Sequence, residues 1–383
     1  MNQRAVCISC FHYYDHRIRL VEDYLLSKGY DCTYIISDFS HIEKKHFRTE
    51  LEHCIQIPAK PYYKNLSVAR LRSHAQFARD AFRLVEKLSP DLLYVMVPPN
   101  SVARQAAKYK KRHPNVKLVL DLYDLWPETF PNNRAKQLLS LPFAIWRSVR
   151  DCGIPAADLI FTECELYQDR LKKQLTGKKT EVLYLCRSER TAGEKIAAPD
   201  TPELHLCYLG SINNIIDIPT IAKLIGTMVK LRPVTLHVIG DGESREVLIE
   251  TVRSVGAQVV FHGKIYDVAK RQDIFDLCSF GVNIVKDSVC VGLTMKSLDY
   301  FAGGLPILNT IEGDTYQFVE EYDIGINVKR ENIEEAAHVA VEMTSQENLQ
   351  MRKNTLFLFS EQFSESVFQK KIAGYFNEIC NVV

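Results

Sequence analysis

Four turns in the second half of the chain combine glycine with polar residues, each directly after an apolar run that is typical of a buried strand. They read YLG at 208–210, GDG at 240–242, FHGKI at 261–265 and KSLDYFAGGLP at 296–306. Glycine lets a backbone approach a ligand closely, and ligands of open parallel sheets bind where the strands end. The four turns therefore predict a binding site along one edge of a sheet.

The segment around Lys296 predicts the chemistry of that site. Thr294 is placed to cap a helix whose first N–H groups would bind a phosphate, and Lys296 would add a full positive charge. Asp299, one turn further on, could accept hydrogen bonds from ribose hydroxyls. The ordinary alternatives are a Lys/Asp pair on a solvated helix face and, for YLG, a plain turn with a Ser or Asn cap.

The elements that must position these turns alternate between short apolar runs and helix-length segments, which is typical of βαβ units. We predict an α/β fold with two doubly wound Rossmann-like domains facing across a cleft. The predicted strands are Ala5–Ser9, Cys32–Ser37, Leu92–Val97, Lys117–Asp121, Asp158–Thr162 and Val182–Leu185, then Leu204–Leu209, Val234–Ile239, Gln258–Phe261, Phe280–Val285, Pro306–Asn309 and Gly325–Val328.

The length of 383 residues suits two domains rather than one. A polar stretch with Pro and Gly at 186–203 predicts a linker between an N-terminal domain at 1–185 and a C-terminal domain at 204–363. A final helix is expected at 364–383.

Composition excludes several classes of protein. No apolar run approaches the roughly 20 residues that cross a bilayer, and the apolar start of the chain predicts a strand and not a signal peptide. The 11 cysteines are scattered, as expected of a reduced cytoplasmic protein, and the pair Cys7 and Cys10 lacks partners for a metal site. We therefore predict a cytoplasmic protein.

Positive charge is concentrated in the first half. Residues 1–185 carry 29 lysines and arginines against 20 aspartates and glutamates, whereas the remainder carries 19 against 27. The asymmetry predicts an anionic surface or substrate for the N-terminal domain. Nucleic acid is a poorer fit because no recognised binding module accompanies the charge.

Two amphipathic helices, at 67–88 and 134–150, are expected to pack on the sheet, with the arginines of the first, including Arg70, largely off its apolar face. A second, more specific hypothesis is that these helices also make peripheral contact with anionic lipid at the inner face of the plasma membrane. In that case the interface would take up Phe143 and Trp146, and the headgroups would meet Arg134, Lys136, Arg147 and Arg150.

In their order along the chain, the four turns resemble the donor-site motifs of the GT-B glycosyltransferases, particularly the retaining family-four group. That pattern has a YxG turn, a GxG turn, an FxGxV turn and a K-x-x-E-Y-x-x-x-G-x-P helix. The N-terminal half adds DHRI at 15–18 and DLYDLWPE at 121–128, which is similar to the D-x-x-D-x-W-P-E segment of the same group. The resemblance covers nearly the whole chain and implies that the final helix crosses back to the N-terminal domain. Since the chain contains no DxD cluster of the kind that holds a metal–diphosphate, the resemblance also implies that neither a metal nor a cofactor is required.

The resemblance implies a nucleotide-sugar site in the C-terminal domain and an acceptor site in the N-terminal domain. A helix N-terminus with Lys296 would stabilise the departing nucleoside diphosphate without a metal. The predicted donor-binding residues are Gly210, Ser211, Asn213, Gly240, Asp241, Gly242, Lys264, Ile265, Leu293, Thr294, Met295, Lys296 and Asp299. The predicted acceptor-side residues, which follow strand ends, are His12, Arg17, Asp124 and Glu163, and the predicted catalytic residues are Lys296, Asp124, Arg17 and His12.

Two features depart from the family pattern. Val291 stands where the group has the first glutamate of its E-x7-E pattern, with Asp299 at the second. The turn after YLG also carries no Arg or Lys, so Lys286 or Arg187 would have to help Lys296 neutralise the diphosphate.

The implied function is transfer of a sugar from a nucleotide sugar, with UDP-sugars favoured, to a saccharide or polyprenyl-linked acceptor in cell-surface polysaccharide synthesis, such as a capsule or exopolysaccharide. A nucleotide-sugar epimerase of the same fold is an open alternative. A catalytically silent glycosyltransferase-like subunit that binds a partner enzyme is another, and Val291 motivates it.

Overall fold

A computed structural model describes residues 3–130, 140–189, 198–199 and 201–380. The chain divides into two compact units, the first comprising Met1–Tyr184 with Phe368–Val383 and the second comprising Leu185–Val367. Within the described ranges, no helix combines the length and the apolarity needed to cross a membrane.

The first unit contains seven strands and six of the helices described. The strands are β1 Arg4–Ser9, β2 Asp31–Ser37, β3 Cys54–Ile57, β4 Leu92–Val97, β5 Lys117–Leu122, β6 Leu159–Thr162 and β7 Thr180–Val182. The helices are α1 Asp15–Ser27, α2 Val68–Leu88, α3 Asn100–Arg112, α4 Ser140–Asp151, α5 Glu165–Arg170 and α6 Lys172–Leu175. All strand pairs are parallel, in the order β3-β2-β1-β4-β5-β6-β7.

The second unit is built on a six-stranded parallel sheet. Its strands are β8 Leu204–Ser211, β9 Val234–Asp241, β10 Gln258–Gly263, β11 Phe280–Asn283, β12 Ile307–Asn309 and β13 Gly325–Asn327, in the order β10-β9-β8-β11-β12-β13. Its helices are α7 Ile218–Val229, α8 Arg245–Ser254, α9 Val268–Leu277, α10 Met295–Ala302, α11 Asp314–Tyr322, α12 Ile333–Glu342 and α13 Ser345–Gln362. The last helix, α14 Glu365–Cys380, belongs to the first unit from Phe368 onward.

Central strands are buried on both faces, which explains why the sequence predicts them well. Every residue of β4 is buried, because helices cover both faces of a parallel sheet and make its strands continuously apolar. The predicted α/β fold with two Rossmann-like domains is confirmed.

The structure differs from the predictions at the edges of the first sheet. β3 reads CIQI, which is too short and polar to stand out, and it pairs only with β2. A strand was expected at Val182–Leu185, but β7 ends at Val182. The chain leaves the sheet there because the carbonyls of Leu183 and Tyr184 accept hydrogen bonds from Arg17.

The structure of helix α4 contradicts the membrane hypothesis at two of its residues. Phe143 is buried, and Arg150 is fully buried and paired with Glu128 and Asp151, so neither side chain can enter a membrane or meet its headgroups. Arg147 also pairs with Glu128. Trp146 is half-buried. The other two residues of the hypothesis, Arg134 and Lys136, lie outside the described residues.

Each sheet has one point where neighbouring strands lead their helices to opposite faces. In the first sheet it lies between β1 and β4, and in the second between β8 and β11. Loops that diverge at such a point open a crevice at the carboxyl ends of the strands, where α/β proteins bind ligands.

Candidate functional site

The loops after β8 and β11 flank the crevice of the second unit and are joined to each other. Ile216 and Val285 form an antiparallel bridge, and the backbone N–H of Lys286 donates to the Ile215 carbonyl at 2.9 Å. The Lys286 ammonium is exposed and donates to the Asn214 carbonyl at 2.6 Å. Lys286 therefore lies beside the turn that follows YLG.

The N-terminus of α10 provides an anion-binding feature. Thr294 has extended backbone angles and its hydroxyl accepts from the Ser297 N–H at 3.2 Å, so Thr294 is the predicted N-cap. The N–H groups of Met295 and Lys296 belong to the first turn, where the helix has no carbonyl to receive them. Together with the helix dipole they favour a negatively charged ligand.

Lys296 adds an uncompensated positive charge at this helix end. Its ammonium lies 5.1 Å from the centre of the Tyr208 ring, and among the described residues it forms no ion pair. Desolvation lowers the pKa of Lys296 to about 8. Because this cation is partly withdrawn from water and lacks a counter-charge, a negatively charged ligand would stabilise its charged form.

Three asparagines hold the start of α10 in place. Asn283, Asn309 and Asn327 end β11, β12 and β13, and each of the two adjacent pairs is joined by an amide hydrogen bond of 2.9 Å. Asn283 also donates to the Ser297 hydroxyl at 3.1 Å, and that hydroxyl lies 2.6 Å from the Thr294 hydroxyl. Sequence reasoning missed this ladder because the predicted strands Phe280–Val285 and Gly325–Val328 run past Asn283 and Asn327, where β11 and β13 end.

Tyr300 fixes the next turn of α10 to β8. Its buried hydroxyl accepts from the Leu209 N–H at 2.8 Å and lies 3.1 Å from the Cys207 carbonyl. A Cβ added at Gly281 would lie 2.8 Å from the ring, so this glycine is required for close packing. The helix therefore has a fixed depth against the strand that carries YLG.

Asp299 is engaged by two arginines. Its Oδ1 accepts from Arg187 Nε at 2.9 Å and lies 3.7 Å from Arg271 Nη2, whereas Oδ2 has no partner among the described residues. The predicted bond to a ribose would therefore have to use Oδ2. All three side chains line a cavity of about 630 Å³ beside α9 and α10, so Arg187 does lie close to the start of α10, as predicted.

The two glycines of GDG are required for close packing against the backbone that follows YLG. A Cβ at Gly240 would lie 1.9 Å from the Gly210 carbonyl oxygen, and one at Gly242 would lie 2.3 Å from that of Ile212. Gly240 has φ 141° and Gly210 has φ 115°, values that side chains rarely permit. Close packing of the YLG and GDG turns explains both motifs before any ligand is considered.

The remaining predicted donor residues occupy varied surroundings. Asn213 Oδ1 accepts from the Ile215 N–H at 3.1 Å, and Asp241 Oδ1 accepts from the Gly242 N–H at 2.8 Å, so both side chains stabilise their own turns. Three residues of this set are exposed, namely Ser211, Lys264 and Met295. Ile265 is half-buried and Leu293 is buried.

Arg17 forms a buried ion pair in the first unit. Nε and Nη2 donate to the two oxygens of Asp121 at 2.6 and 2.9 Å, and the terminal nitrogens also donate to the Leu183 and Tyr184 carbonyls. Arg17 is 3% exposed and Asp121 is 0% exposed. These contacts identify a structural residue, so the geometry gives no support to the catalytic and acceptor roles predicted for Arg17.

Asp124 and Glu163 follow β5 and β6, respectively, and both lie close enough to Tyr14 to affect its pKa. The negative charges of both raise the pKa of Tyr14, in addition to the larger effect of burial. Asp124 accepts from the Thr129 hydroxyl at 2.7 Å, and burial raises its pKa to about 6. A carboxyl with this pKa is ionised at neutral pH and can still receive a proton.

His12 lies in the turn after β1. Its ring packs against Tyr13 and Phe47 at centroid distances of 4.1 and 4.5 Å, and burial lowers its pKa. Nδ1 is buried and has no hydrogen-bond partner among the described residues. The ring is thus neutral at pH 7 and retains a nitrogen for a ligand.

Metal-binding clusters of three or more His, Cys, Asp or Glu residues do not occur in the described part of the chain. Metal independence stays a prediction.

Two Rossmann-like units, each built on a parallel sheet, are the architecture of the GT-B fold. Residues 203–346 match the family model described as Glycosyl transferases group 1. No curated protein sequence has significant similarity to the chain.

Solved structures share the fold over almost the whole chain. Sucrose-phosphate synthase of Thermosynechococcus elongatus is 12% identical, with a TM-score of 0.70 over 100% of both chains. HepE of Anabaena, solved with UDP and glucose, is 14% identical, with a TM-score of 0.66 over 98% of this chain and 100% of HepE. The lipopolysaccharide outer core galactosyltransferase WaaB is 14% identical, with a TM-score of 0.65 over 100% of both chains. The prediction of the GT-B fold is confirmed, and the match of residues 203–346 to the family model supports the predicted glycosyltransferase.

Proposed function

We propose that the protein transfers a sugar from a UDP-sugar to a saccharide or polyprenyl-linked acceptor in the synthesis of a cell-surface polysaccharide. The observation that carries the proposal is Lys296, a cation without a counter-charge at the capped N-terminus of α10 and at the switch point of the second sheet. The description of HepE bound to UDP and glucose supports UDP as the nucleotide.

The chemistry requires stabilisation of a leaving diphosphate. Negative charge develops on the phosphate oxygens as the bond to the anomeric carbon breaks, and the first N–H groups of α10 with Lys296 oppose that charge. The asparagine ladder and Tyr300 hold the helix still, so these donors are oriented before the substrate binds. This arrangement needs no metal, which is part of the proposal.

The acceptor is assigned to the first unit, where Asp124, Glu163 and His12 lie at the carboxyl ends of their strands. Asp124 is the proposed base, since its pKa of about 6 leaves it ionised at neutral pH. We place the enzyme in the cytoplasm, at the inner face of the plasma membrane. The positive charge of residues 1–185 and the exposed Leu141 and Ile145 support contact with anionic lipid.

Incubation of the purified chain with a panel of UDP-, GDP- and ADP-sugars tests the donor proposal. We expect slow release of UDP from at least one UDP-sugar without acceptor, because water can replace the acceptor. Lys296→Met should lower this release about 100-fold. Lys223→Met, which removes an exposed lysine of α7, is the matched control and should leave the rate unchanged.

Absence of both binding and hydrolysis across the panel would contradict the proposal. Conversion of a UDP-sugar into its epimer would instead identify the epimerase alternative. Binding without any turnover, even with saccharide and lipid-linked acceptors, would identify the silent subunit. Sedimentation with anionic and neutral vesicles tests the membrane contact, which equal binding to both would contradict.

A further inference from the structure

Arg70 is a buried cation with unmatched donors in the first unit. It lies in the first turn of α2 and is 2% exposed, although the sequence pattern predicts it off the apolar face. Nη1 donates to the Asn65 carbonyl at 2.8 Å. Nε and Nη2 are buried and have no hydrogen-bond partner among the described residues. Such groups are rare in native proteins because each one costs free energy.

The two unmatched donors are the pair that binds an oxyanion side-on. Arg17 uses the same two nitrogens, Nε and Nη2, to hold both oxygens of Asp121. An arginine presents these N–H groups in parallel, which matches two oxygens of a carboxylate or a phosphate. Asp121 supplies the oxyanion to Arg17, whereas no described residue supplies one to Arg70.

Aromatic rings hold the Arg70 guanidinium in position. Its central carbon lies 4.1 Å from the centre of the Trp126 ring and 5.8 Å from that of Tyr62. Cation–π contacts stabilise the charge through the ring faces but accept no N–H bond in the guanidinium plane. Among the described residues the donor edge therefore carries no oxyanion, although neighbouring side chains cover both nitrogens and the Tyr62 hydroxyl lies close to the guanidinium.

Further basic groups lie around Tyr62. The Lys44 ammonium is 5.1 Å from the Tyr62 ring centre and 3.5 Å from His41 Nδ1. Burial, followed by the charges of Arg70 and Lys44, lowers the pKa of His41 to about 3 and that of His74 well below its ordinary value. Both imidazoles are neutral, and Arg70 and Lys44 carry the charge.

The described neighbours of Arg70 supply no hydrogen-bonded counter-charge. Burial raises the pKa of the Cys10 thiol and of the Tyr62 hydroxyl, so both are neutral at pH 7. Asp124 acts on Arg70 through its charge, but its carboxylate accepts from the Thr129 hydroxyl and, among the described residues, forms no hydrogen bond with Arg70.

The cluster lies at the ligand-binding edge of the first sheet. Phe11, which packs against His74 at 5.5 Å, follows β1, and Trp126 follows β5. The switch point between β1 and β4 lies at this edge.

We propose that Arg70, assisted by Lys44, binds a phosphate group of the acceptor. The inference rests on the proposed function in naming the acceptor as the source of the phosphate. Two positive charges favour a phosphate, which carries close to two negative charges, over a carboxylate, which carries one. A sugar phosphate and a lipid-linked diphosphate share this chemistry.

Calorimetric titration of the full chain with inorganic phosphate, glucose 6-phosphate and farnesyl diphosphate tests the proposal without any nucleotide sugar. We expect saturable binding, weakened roughly tenfold to hundredfold by Arg70→Gln and also by Arg70→Lys, which keeps the charge but loses the fork. Arg72→Gln, an exposed position of the same helix, should bind like the wild type. Preference for glucose 6-phosphate or for farnesyl diphosphate identifies the source of the phosphate.

Two comparisons keep the outcome specific. Prior saturation of the donor site with UDP should leave binding of the probes at Arg70 unchanged, which separates the two sites. Lys44→Met should weaken this binding even if the Arg70 variants fail to fold. Equal binding by wild type and Arg70→Gln, or no binding of the three probes by the wild type, would overturn the inference. If the protein binds UDP but none of the probes, this inference alone is overturned. If the protein binds the probes but not UDP, the donor proposal alone is overturned.

Discussion

Replacement of Arg17 by methionine should unfold the first unit at a markedly lower denaturant concentration. The guanidinium donates to both oxygens of Asp121 and to the carbonyls of Leu183 and Tyr184. Asp121 is 0% exposed, so the substitution leaves a carboxylate buried beside the Tyr94 hydroxyl without its counter-charge. Breaking one partner of a buried ion pair costs about 3–5 kcal/mol, a large share of the roughly 5–15 kcal/mol that stabilises a domain.

Tryptophan fluorescence during urea unfolding is the appropriate assay, because both tryptophans, Trp126 and Trp146, lie in the first unit. Arg19→Met removes an exposed arginine from the same helix and should leave the midpoint unchanged. The double variant Arg17→Met/Asp121→Leu should recover much of the loss, since apolar residues can replace a buried pair. A variant Arg17→Met with the wild-type midpoint but no transferase activity would refute the structural role and restore the catalytic one.

Four further substitutions, three in the second unit and one in α14 of the first unit, test packing, hydrogen bonding and protonation. Gly240→Ala should yield insoluble or unfolded protein, because its Cβ would lie 1.9 Å from a backbone oxygen, whereas Gly374→Ala, with nothing within 4 Å, should raise the melting temperature slightly. Asn309→Ala should lower the free energy of unfolding by about 2–4 kcal/mol, measured in urea, since it leaves the buried amides of Asn283 and Asn327 short of partners. Burial, then the charges of His205 and His262, lowers the pKa of His237 to about 4. The unfolded imidazole titrates near ~6.5, so the unfolded state binds more protons below that pH, and stability should fall by up to about 3 kcal/mol as the pH drops from 6.5 to 4. Urea unfolding of His237→Leu across this range should show a smaller fall, and an unchanged pH profile would contradict the assignment.

The order of elements could be predicted from the sequence because parallel strands buried on both faces are continuously apolar. β4 was predicted with its observed bounds, and the cap at Thr294 with Lys296 beyond it was predicted from local spacing. These features depend on residues close together in the chain. Local pattern is sufficient for them.

Features that depend on distant partners could not be predicted. The fold buries both Arg17 and Arg70. Asp121, which is 104 residues from Arg17 in the chain, binds Arg17, whereas no carboxylate of the described residues bonds to Nε and Nη2 of Arg70. The asparagine ladder likewise becomes visible only when β11, β12 and β13 are adjacent. Edge strands such as β3 carry too little apolar signal to be distinguished from a loop.

The affinity for UDP as a function of pH tests the central claim most directly. The pKa of Lys296 is about 8, so its charge is present below that value and is lost as the pH rises through it. Between pH 7 and pH 9.5 the wild type should bind UDP progressively more weakly, by about tenfold overall, while Lys296→Met should bind weakly at every pH with a flatter profile. A wild-type affinity that does not change across this range, or Lys296→Met binding as tightly as the wild type, would contradict the assignment of Lys296 to the diphosphate.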